Sequence, residues 1–297
     1  MESKIDSPKG FGQILDLTFI ISKKKFSELI LIMLIFLGPI YVLQAVMELA
    51  SGVSFFREME TGGTWFENIL GSFDETSTDA DATLAVSGLL SLLFAPIAGA
   101  AIMFAVNHMR KDEEYTVGSV IKEAFSRFWP MLGSNILFGL ITAGLFFIPM
   151  IIVFFVGIMG AVMSPFAGIA LAVVLFLGFA FGLGLLLTRW SFYFGSVVFK
   201  EGTPGLSRSW ELTKGRLWAT FGLYVIFTLI ITCISMALEF SFGLILGNSV
   251  LLSIIVNAGT LFTSVIFTVG YAVMYFDLKA RQDADDLKEM IGDYHTT

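Results

Sequence analysis

Residues 205–227 read GLSRSWELTKGRLWATFGLYVIF, and this stretch places two tryptophans and three basic residues directly before a long apolar run. Tryptophan and basic side chains are enriched where a transmembrane helix meets the lipid headgroups. The reason is that an indole ring has an apolar body and a polar edge, and a cationic head can stay in water. The stretch therefore predicts a helix at the membrane surface that leads into a transmembrane helix.

The composition of the whole chain indicates a lipid environment. Of its 297 residues, 56% are hydrophobic, 31 are Phe and only 14% are charged. A soluble protein of this length has too few polar residues to cover so much apolar surface. The net charge of −7 gives no basis for nucleic-acid binding, and one Cys with two His excludes disulfides and Cys/His metal clusters. We expect no cofactor and no metal.

Six apolar stretches are each long enough to cross a hydrocarbon layer, which takes about 20 helical residues. Inside lipid every backbone amide must pair within its own segment, so each stretch is predicted to be a helix. The sequence thus predicts an all-α polytopic membrane protein with interfacial amphipathic helices, built as one six-helix domain over residues 1–297. The predicted spans are 29–50, 83–107, 131–156, 166–189, 217–239 and 249–276.

The basic residues indicate how the chain is oriented. Seventeen of the 18 Lys and Arg residues fall in the N-terminal segment, the second connection, the fourth connection and the tail at 277–297, and only Arg57 falls elsewhere. With six spans these four segments share one side of the membrane. Because cytoplasmic loops carry the excess of Lys and Arg, we predict that both termini are cytoplasmic.

The first connection, residues 51–82, is predicted to be the only sizeable outer part, and it carries seven acidic residues against one Arg. Trp65, Phe66, Ile69, Leu70 and Phe73 recur at helical spacing, which favours a short helix on the outer leaflet or on the bundle. The rest is interpreted as a solvated acidic loop. A contact between this acidic loop and a cationic partner remains an alternative. A calcium site is not predicted, because it requires more closely spaced ligands than this loop has.

Three cytoplasmic segments share one pattern, in which a polar start leads through an amphipathic stretch and an aromatic residue into a span. They are residues 7–32, 116–138 and 203–227. Such repetition predicts a threefold structural repeat of an interfacial helix plus a helical hairpin. The hydroxyls of Ser7, Thr116 and Thr203 are predicted to cap the helix starts, and Pro8 and Pro204 suit a first helical turn.

In the third copy, residues 204–216 are predicted to form a separate helix at the inner surface. Leu206, Trp210 and Leu217 would share its apolar face, and its basic side chains would reach headgroup phosphates. Four of the five tryptophans fall at this predicted inner boundary. The residues predicted to contact the membrane surface are Trp129, Trp190, Trp210, Trp218, Arg208, Lys214 and Arg216.

Ionisable residues deep in a span would indicate a catalytic or transport pathway, and the predicted spans contain almost none. Glu239 in the fifth span and Asn257 in the sixth form the one candidate intramembrane polar pair, and interhelical hydrogen bonding is the alternative role for Asn135 and Asn257. The sequence contains no nucleotide-binding loop, zinc motif or nucleophile triad, so no catalytic residue is assigned.

Three segments resemble a large bacterial family, the membrane domain associated with glycerophosphoryl diester phosphodiesterases. They are GFGQILDLTF at 10–19, SWELTKGRLWATFG at 209–222 and YFDLKARQDADDL at 275–287. The resemblance implies a bacterial plasma-membrane protein with six helices, fused in some members to a TIM-barrel hydrolase with a His-Arg-Gly motif and metal-binding acids. This sequence contains no His-Arg-Gly, and only 21 residues follow position 276. A barrel needs at least about 200 residues, so no hydrolase activity is expected.

Two classes of function remain open. The first is a non-enzymatic scaffold, accessory subunit or regulator of envelope processes, with membrane lipids and an unidentified envelope protein as partners. The second is a small transporter or permease for an apolar or amphipathic, lipid-like substrate, and an integral membrane enzyme is the least favoured. A polar cavity that reaches Asn135, Asn257 or Glu239 would favour transport.

Overall fold

The computed structural model describes residues 8–56, 78–247 and 249–296. Within these ranges the chain is helical apart from short connections and contains no strand, which confirms the all-α prediction for this part. The described helices are α1 (Phe11–Lys24), α2 (Phe26–Ala50), α3 (Thr78–Arg110), α4 (Val117–Phe125), α5 (Phe128–Met163), α6 (Pro165–Trp190), α7 (Tyr193–Val198), α8 (Leu206–Leu212), α9 (Leu217–Leu246) and α10 (Val250–Thr296).

Six apolar segments of the described chain are long enough to cross a membrane, as the sequence predicts. They are Phe26–Ala50, Ala85–Arg110, Phe128–Gly160, Phe166–Val198, Leu217–Leu246 and Val250–Gln282. Each contains most or all of one predicted stretch, and most extend several residues beyond it. This arrangement is that of a multi-pass membrane protein.

Short helices precede the first, third and fifth of these segments, in agreement with the predicted repeat. Helices α1, α4 and α8 are each followed after a few residues by the long helices α2, α5 and α9. Thr116 caps α4 as predicted, because its hydroxyl oxygen accepts from the Ser119 backbone N–H at 3.1 Å. In the third copy, residues 213–216 separate α8 from α9, so the short helix is not part of the fifth span, as predicted.

Two predicted helix starts are wrong. Helix α8 begins at Leu206 after Gly205, so Thr203 and Pro204 lie before it, and it ends at Leu212 instead of continuing to 216. Helix α1 begins at Phe11 after Gly10, whose N–H donates to the Gln13 side chain at 2.9 Å, and Pro8 lies before the first turn. In both copies a glycine holds the capping position. Ser7 lies outside the described residues.

The predicted outer connection is described only in part. Residues 57–77, with the predicted amphipathic helix, lie outside the described residues, and α3 begins at Thr78, ahead of the predicted span start at 83. Residues 51–56 run across the start of α10. There the Val250 N–H donates to the Ser54 carbonyl at 3.1 Å and the Leu251 N–H to the Phe55 carbonyl at 3.2 Å. The connection thus satisfies two N–H groups that a helix start leaves open.

The chain divides into two compact units, and whether they act as the single predicted domain stays a prediction. Unit 1 comprises Met1–Ser126 and Ile226–Met274. Its core is the second half of α3, where most residues from Ile97 to Val106 are buried. The Phe36 ring lies 6.4 Å from Phe94 and 5.8 Å from Phe125, centroid to centroid, which packs α2 against α3 and α4.

Unit 2 comprises Arg127–Val225 and Tyr275–Thr297. Helices α5 and α6 form a hairpin whose backbones nearly touch, since a Cβ on Gly160 would lie 2.8 Å from the Gly168 Cα. Elsewhere their large apolar side chains face outward, as Phe147 (68% exposed) and Phe166 (86% exposed) do. Such a surface is unfavourable in water and favourable in lipid, in agreement with the predicted membrane environment.

Candidate functional site

A break between α6 and α7 creates a polar corner in unit 2. Helix α6 ends at Trp190 and α7 begins at Tyr193, so backbone groups at the junction lack partners in their own helices. Ser209 of α8 satisfies two of them, because its hydroxyl accepts from the Phe192 N–H at 3.0 Å and donates to the Arg189 carbonyl at 2.7 Å. Ser209 and Thr213 are fully buried, so α8 docks through hydroxyls and Leu212.

The start of α8 is pressed against α7. Gly205 has a positive φ of 82°, and a Cβ there would lie 2.4 Å from the Tyr193 carbonyl oxygen. Tyr193 is fixed in turn, since its hydroxyl donates to Asn135 Oδ1 at 2.7 Å and its ring stacks on Phe138 with centroids 4.3 Å apart. Asn135 therefore has the structural hydrogen-bonding role that the sequence left open.

An ion cluster forms around Glu201, which lies in the connection between α7 and α8. The Glu201 carboxylate accepts from Arg208 Nε at 3.1 Å and, through its other oxygen, from Lys279 Nζ of α10. The Glu201 side chain is only 13% exposed. Burial raises the pKa of Glu201, but the bonds from Lys279 and Arg208 outweigh it and hold the pKa below its ordinary value of 4.5. Glu201 is therefore a charged crosslink between two segments distant in the sequence.

Aromatic packing reinforces the same crosslink. Tyr275 stacks on Phe199 with ring centroids 5.5 Å apart, and a Cβ on Gly195 would lie 2.6 Å from the Tyr275 ring. Tyr275 is fully buried, as is nearly all of Phe276. Glu201 thus links Lys279 of the segment 275–287 to Arg208, the residue directly before the segment 209–222.

The tryptophans predicted at the membrane surface are mostly exposed. Trp129 is 77% exposed, Trp218 66% and Trp210 43%, and Trp190 is half-buried. Trp210 therefore does not lie on the buried face of α8, which consists of Ser209, Leu212 and Thr213. Its indole instead lies under the Arg189 guanidinium, whose Cζ is 4.5 Å from the ring centroid.

The three predicted basic contacts differ in the structure. Arg208 is held by Glu201 and also donates to Glu211 Oε2 at 3.3 Å, so its charge is directed toward protein carboxylates. The predicted contact of Arg208 with headgroup phosphates stays a prediction, and in the structure this guanidinium is held by two carboxylates. Lys214 is exposed and Arg216 is half-buried, both in the turn between α8 and α9.

Unit 1 has a second polar cluster, which ties α3 to α4. His108 contacts carboxylates through both ring nitrogens: Nδ1 lies 2.8 Å from Glu113 Oε2 and Nε2 lies 3.2 Å from Glu123 Oε2. Its ring stacks on Tyr115, whose pKa is raised by burial and by a hydrogen bond with Glu28. No group of three or more His, Cys, Asp or Glu side chains in the described ranges is placed to hold a metal ion.

The polar pair predicted inside the membrane is not brought together. Glu239 is exposed on α9, whereas the Asn257 amide lies 3.5 Å from Gln44 Oε1 of α2. Gln44 donates in turn to Glu48 Oε1 at 2.9 Å, and Glu48 Oε2 is buried without a hydrogen-bond partner. The side chains of Asn257, Gln44 and Glu48 thus form a polar chain in unit 1.

Sequence reasoning missed Glu201, Ser209 and Gln44. Each is a common polar residue with no local motif, and each has a partner that lies 17 or more positions away in the sequence: Phe192 for Ser209, Lys279 for Glu201 and Asn257 for Gln44. For Glu201, the only available signal was its position as one of two acids, with Glu211, in an otherwise basic connection.

The Ser209 bridge leads to a stability prediction. Replacing Ser209 by Ala leaves the Arg189 carbonyl and the Phe192 N–H with fewer partners in a buried place, which should destabilise the corner by about 1–3 kcal/mol. Hydrogen–deuterium exchange of backbone amides near 189–213 should rise in Ser209→Ala. Ser207, exposed on the same helix, is the control, and an equal rise in Ser207→Ala would contradict the bridge.

Comparison with known families gives one match. A family model described as a domain of unknown function (DUF7847) matches residues 27–278, which include all six membrane-spanning segments except their outermost residues. No curated protein and no solved structure matches the chain significantly.

Proposed function

The chain belongs to the DUF7847 family, a domain of unknown function, and we propose from its own geometry that it is a non-enzymatic multi-pass membrane protein with a scaffold, accessory or regulatory role. The observation that carries this proposal is the ion cluster of Glu201, Arg208 and Lys279. Its charges satisfy one another and hold protein segments together. A rigid corner built from short helices suits a surface that partners bind more than it suits a reaction site.

The proposal includes location and orientation: a bacterial plasma membrane, with both termini cytoplasmic. The bacterial assignment rests on the resemblance to the phosphodiesterase-associated membrane domains. The orientation rests on the distribution of Lys and Arg, 17 of 18 on one side. Tryptophans at the start of α5, the end of α6 and the start of α9 support an interface at that same side.

The scaffold role is tested by purification from native membranes. A tagged chain, extracted in mild detergent, should retain a membrane or envelope protein in fixed stoichiometry. Exposed Glu239 provides the matched control, so Glu239→Gln should retain the same partner while Glu201→Gln loses it. Recovery of the chain alone, together with solute or lipid movement by the pure chain in vesicles, would refute the scaffold role.

We expect no hydrolysis of glycerophosphodiesters by the purified chain. The sequence has no His-Arg-Gly motif and only two His residues, which leaves few ligands for a catalytic metal. Release of glycerol phosphate is the measurement, with a mock purification from cells that lack the chain as control. Metal-dependent turnover above that control would overturn the expectation.

Transport of a lipid-like or amphipathic substrate is the second candidate, favoured by the polar chain in unit 1. A carboxylate oxygen of Glu48 that is buried without a donor is unusual in a purely structural role. In vesicles, Glu48→Gln and Asn257→Leu should then reduce substrate movement while Glu239→Gln leaves it unchanged. Equal activity in all three variants would leave transport without support.

A further inference from the structure

Three cations of unit 2, one exposed and two half-buried, have no acidic partner among the described residues. Among the described residues, Arg189, Lys214 and Arg216 form no ion pair, in contrast to Arg208, which contacts both Glu201 and Glu211. Glu211 is the acid nearest to Lys214 and Arg216 in the sequence, and Glu201 the one nearest to Arg189; the carboxylates of both contact Arg208. The positive charge at the junction of α6, α8 and α9 is therefore available to an external anion.

The backbone positions that carry these three cations lie close together around Thr213. The Arg189 carbonyl accepts from Ser209 Oγ at 2.7 Å and lies 3.4 Å from Thr213 Oγ1, which places the end of α6 beside Thr213. Lys214 follows at once, and the Arg216 N–H donates back to the Thr213 carbonyl at 3.2 Å in a tight turn.

Trp210 orients one of these cations. The Arg189 guanidinium lies over the indole, 4.5 Å from Cζ to the ring centroid, and this stacking restricts the rotamers of a long side chain. A planar guanidinium held in place can donate two parallel hydrogen bonds to a phosphate, as a lysine cannot. Trp210 is 43% exposed, so the site opens to the surroundings.

We propose that Arg189, Lys214 and Arg216 form a phosphate-binding site, with Trp210 as the positioning residue for Arg189. The ligand class is a phosphate ester, supplied either by an anionic lipid headgroup or by a free phosphate compound. The site does not depend on the scaffold role, since it rests only on charges and contacts within unit 2.

The test uses Trp210 as its own reporter, in a full-length protein whose other four tryptophans are replaced by Phe. The protein is placed in nanodiscs of phosphatidylcholine with brominated phosphatidylglycerol, or with brominated phosphatidylcholine at the same mole fraction. Stronger quenching by the anionic lipid is expected. In a second arm, inorganic phosphate and glycerol phosphate are titrated into the protein in detergent. A saturable change in Trp210 fluorescence in this arm assigns the ligand to a free phosphate.

Substitutions identify the residues. Lys214→Gln and Arg216→Gln should each weaken the anionic preference about fivefold, the effect of one basic residue near an anionic surface, and the double variant roughly 25-fold. Arg189→Lys keeps the charge but loses the planar guanidinium that can donate two parallel hydrogen bonds, so it should also weaken phosphate binding. Lys200→Asn removes an exposed charge elsewhere in unit 2 and should change nothing. Equal quenching by both lipids with no response to phosphate, or an equal loss in Lys200→Asn, would overturn the site.

Discussion

Replacing Gly205 by Ala should open the α7–α8 corner of unit 2, with a loss of about 3 kcal/mol in local stability. Two effects combine at this position. The φ of 82° is strained for any residue with a side chain, and the new Cβ would lie 2.4 Å from the Tyr193 carbonyl oxygen. That oxygen belongs to the backbone of α7, so it cannot rotate away as a side-chain end can.

Gly215→Ala is the matched control for Gly205→Ala. Gly215 has nearly the same φ, 79°, but nothing lies within 4 Å of its added Cβ, so only backbone strain of about 1 kcal/mol applies. Hydrogen–deuterium exchange of peptides from 193–216 should accelerate far more in Gly205→Ala than in Gly215→Ala. Equal acceleration would show that the close approach to α7 does not contribute.

The second large effect is expected from Glu201→Gln. The change leaves Arg208 and Lys279, both partly buried, without their shared anion, and should destabilise unit 2 by about 2–3 kcal/mol. Glu211 also contacts Arg208, but its side chain is 59% exposed, so Glu211→Gln should change stability by less than about 0.5 kcal/mol. Thermal unfolding midpoints in detergent measure both, and a similar shift for the two variants would argue against a central role of Glu201.

The Glu201 contribution should also depend on pH in a defined direction. Its pKa in the folded protein lies below the ordinary 4.5, so the stabilisation is complete above pH 4.5 and is lost as pH falls through the folded value. The difference in stability between wild type and Glu201→Gln should therefore be constant near neutral pH and shrink in acid. A difference that widens in acid would contradict the ion cluster.

The membrane fold was predictable because its signals are local. A run of about 20 apolar residues indicates a membrane-spanning helix, whichever helices pack against it. The same holds for the short helices, since a capping hydroxyl such as Thr116 acts on the residue three positions later. The starts of α1 and α8 were misplaced because Gly10 and Gly205 hold the capping positions, and glycine gives a weaker start signal than Ser or Thr.

The polar contacts were not predictable because their partners are distant in the sequence. Glu201 meets Lys279 across 78 positions, and Asn257 meets Gln44 across 213. A helical pattern says which residues share a face, but not which face another helix covers. Helix α8 illustrates this: the pattern placed Leu206, Trp210 and Leu217 on one apolar face, but it did not show that the hydroxyls of Ser209 and Thr213 contact the open backbone groups at the end of α6.

The account depends most on six membrane crossings with the basic segments on one side. Cys233, the only cysteine, is first replaced by Ala, and single cysteines are then introduced at Ser77, between the first two spans, and at exposed Ser207 on α8. Intact cells are treated with a membrane-impermeant thiol reagent, before and after permeabilisation. Labelling of the Ser77→Cys protein in intact cells, and of the Ser207→Cys protein only after permeabilisation, is the predicted result. Labelling of both positions from the same side would contradict the six-span arrangement.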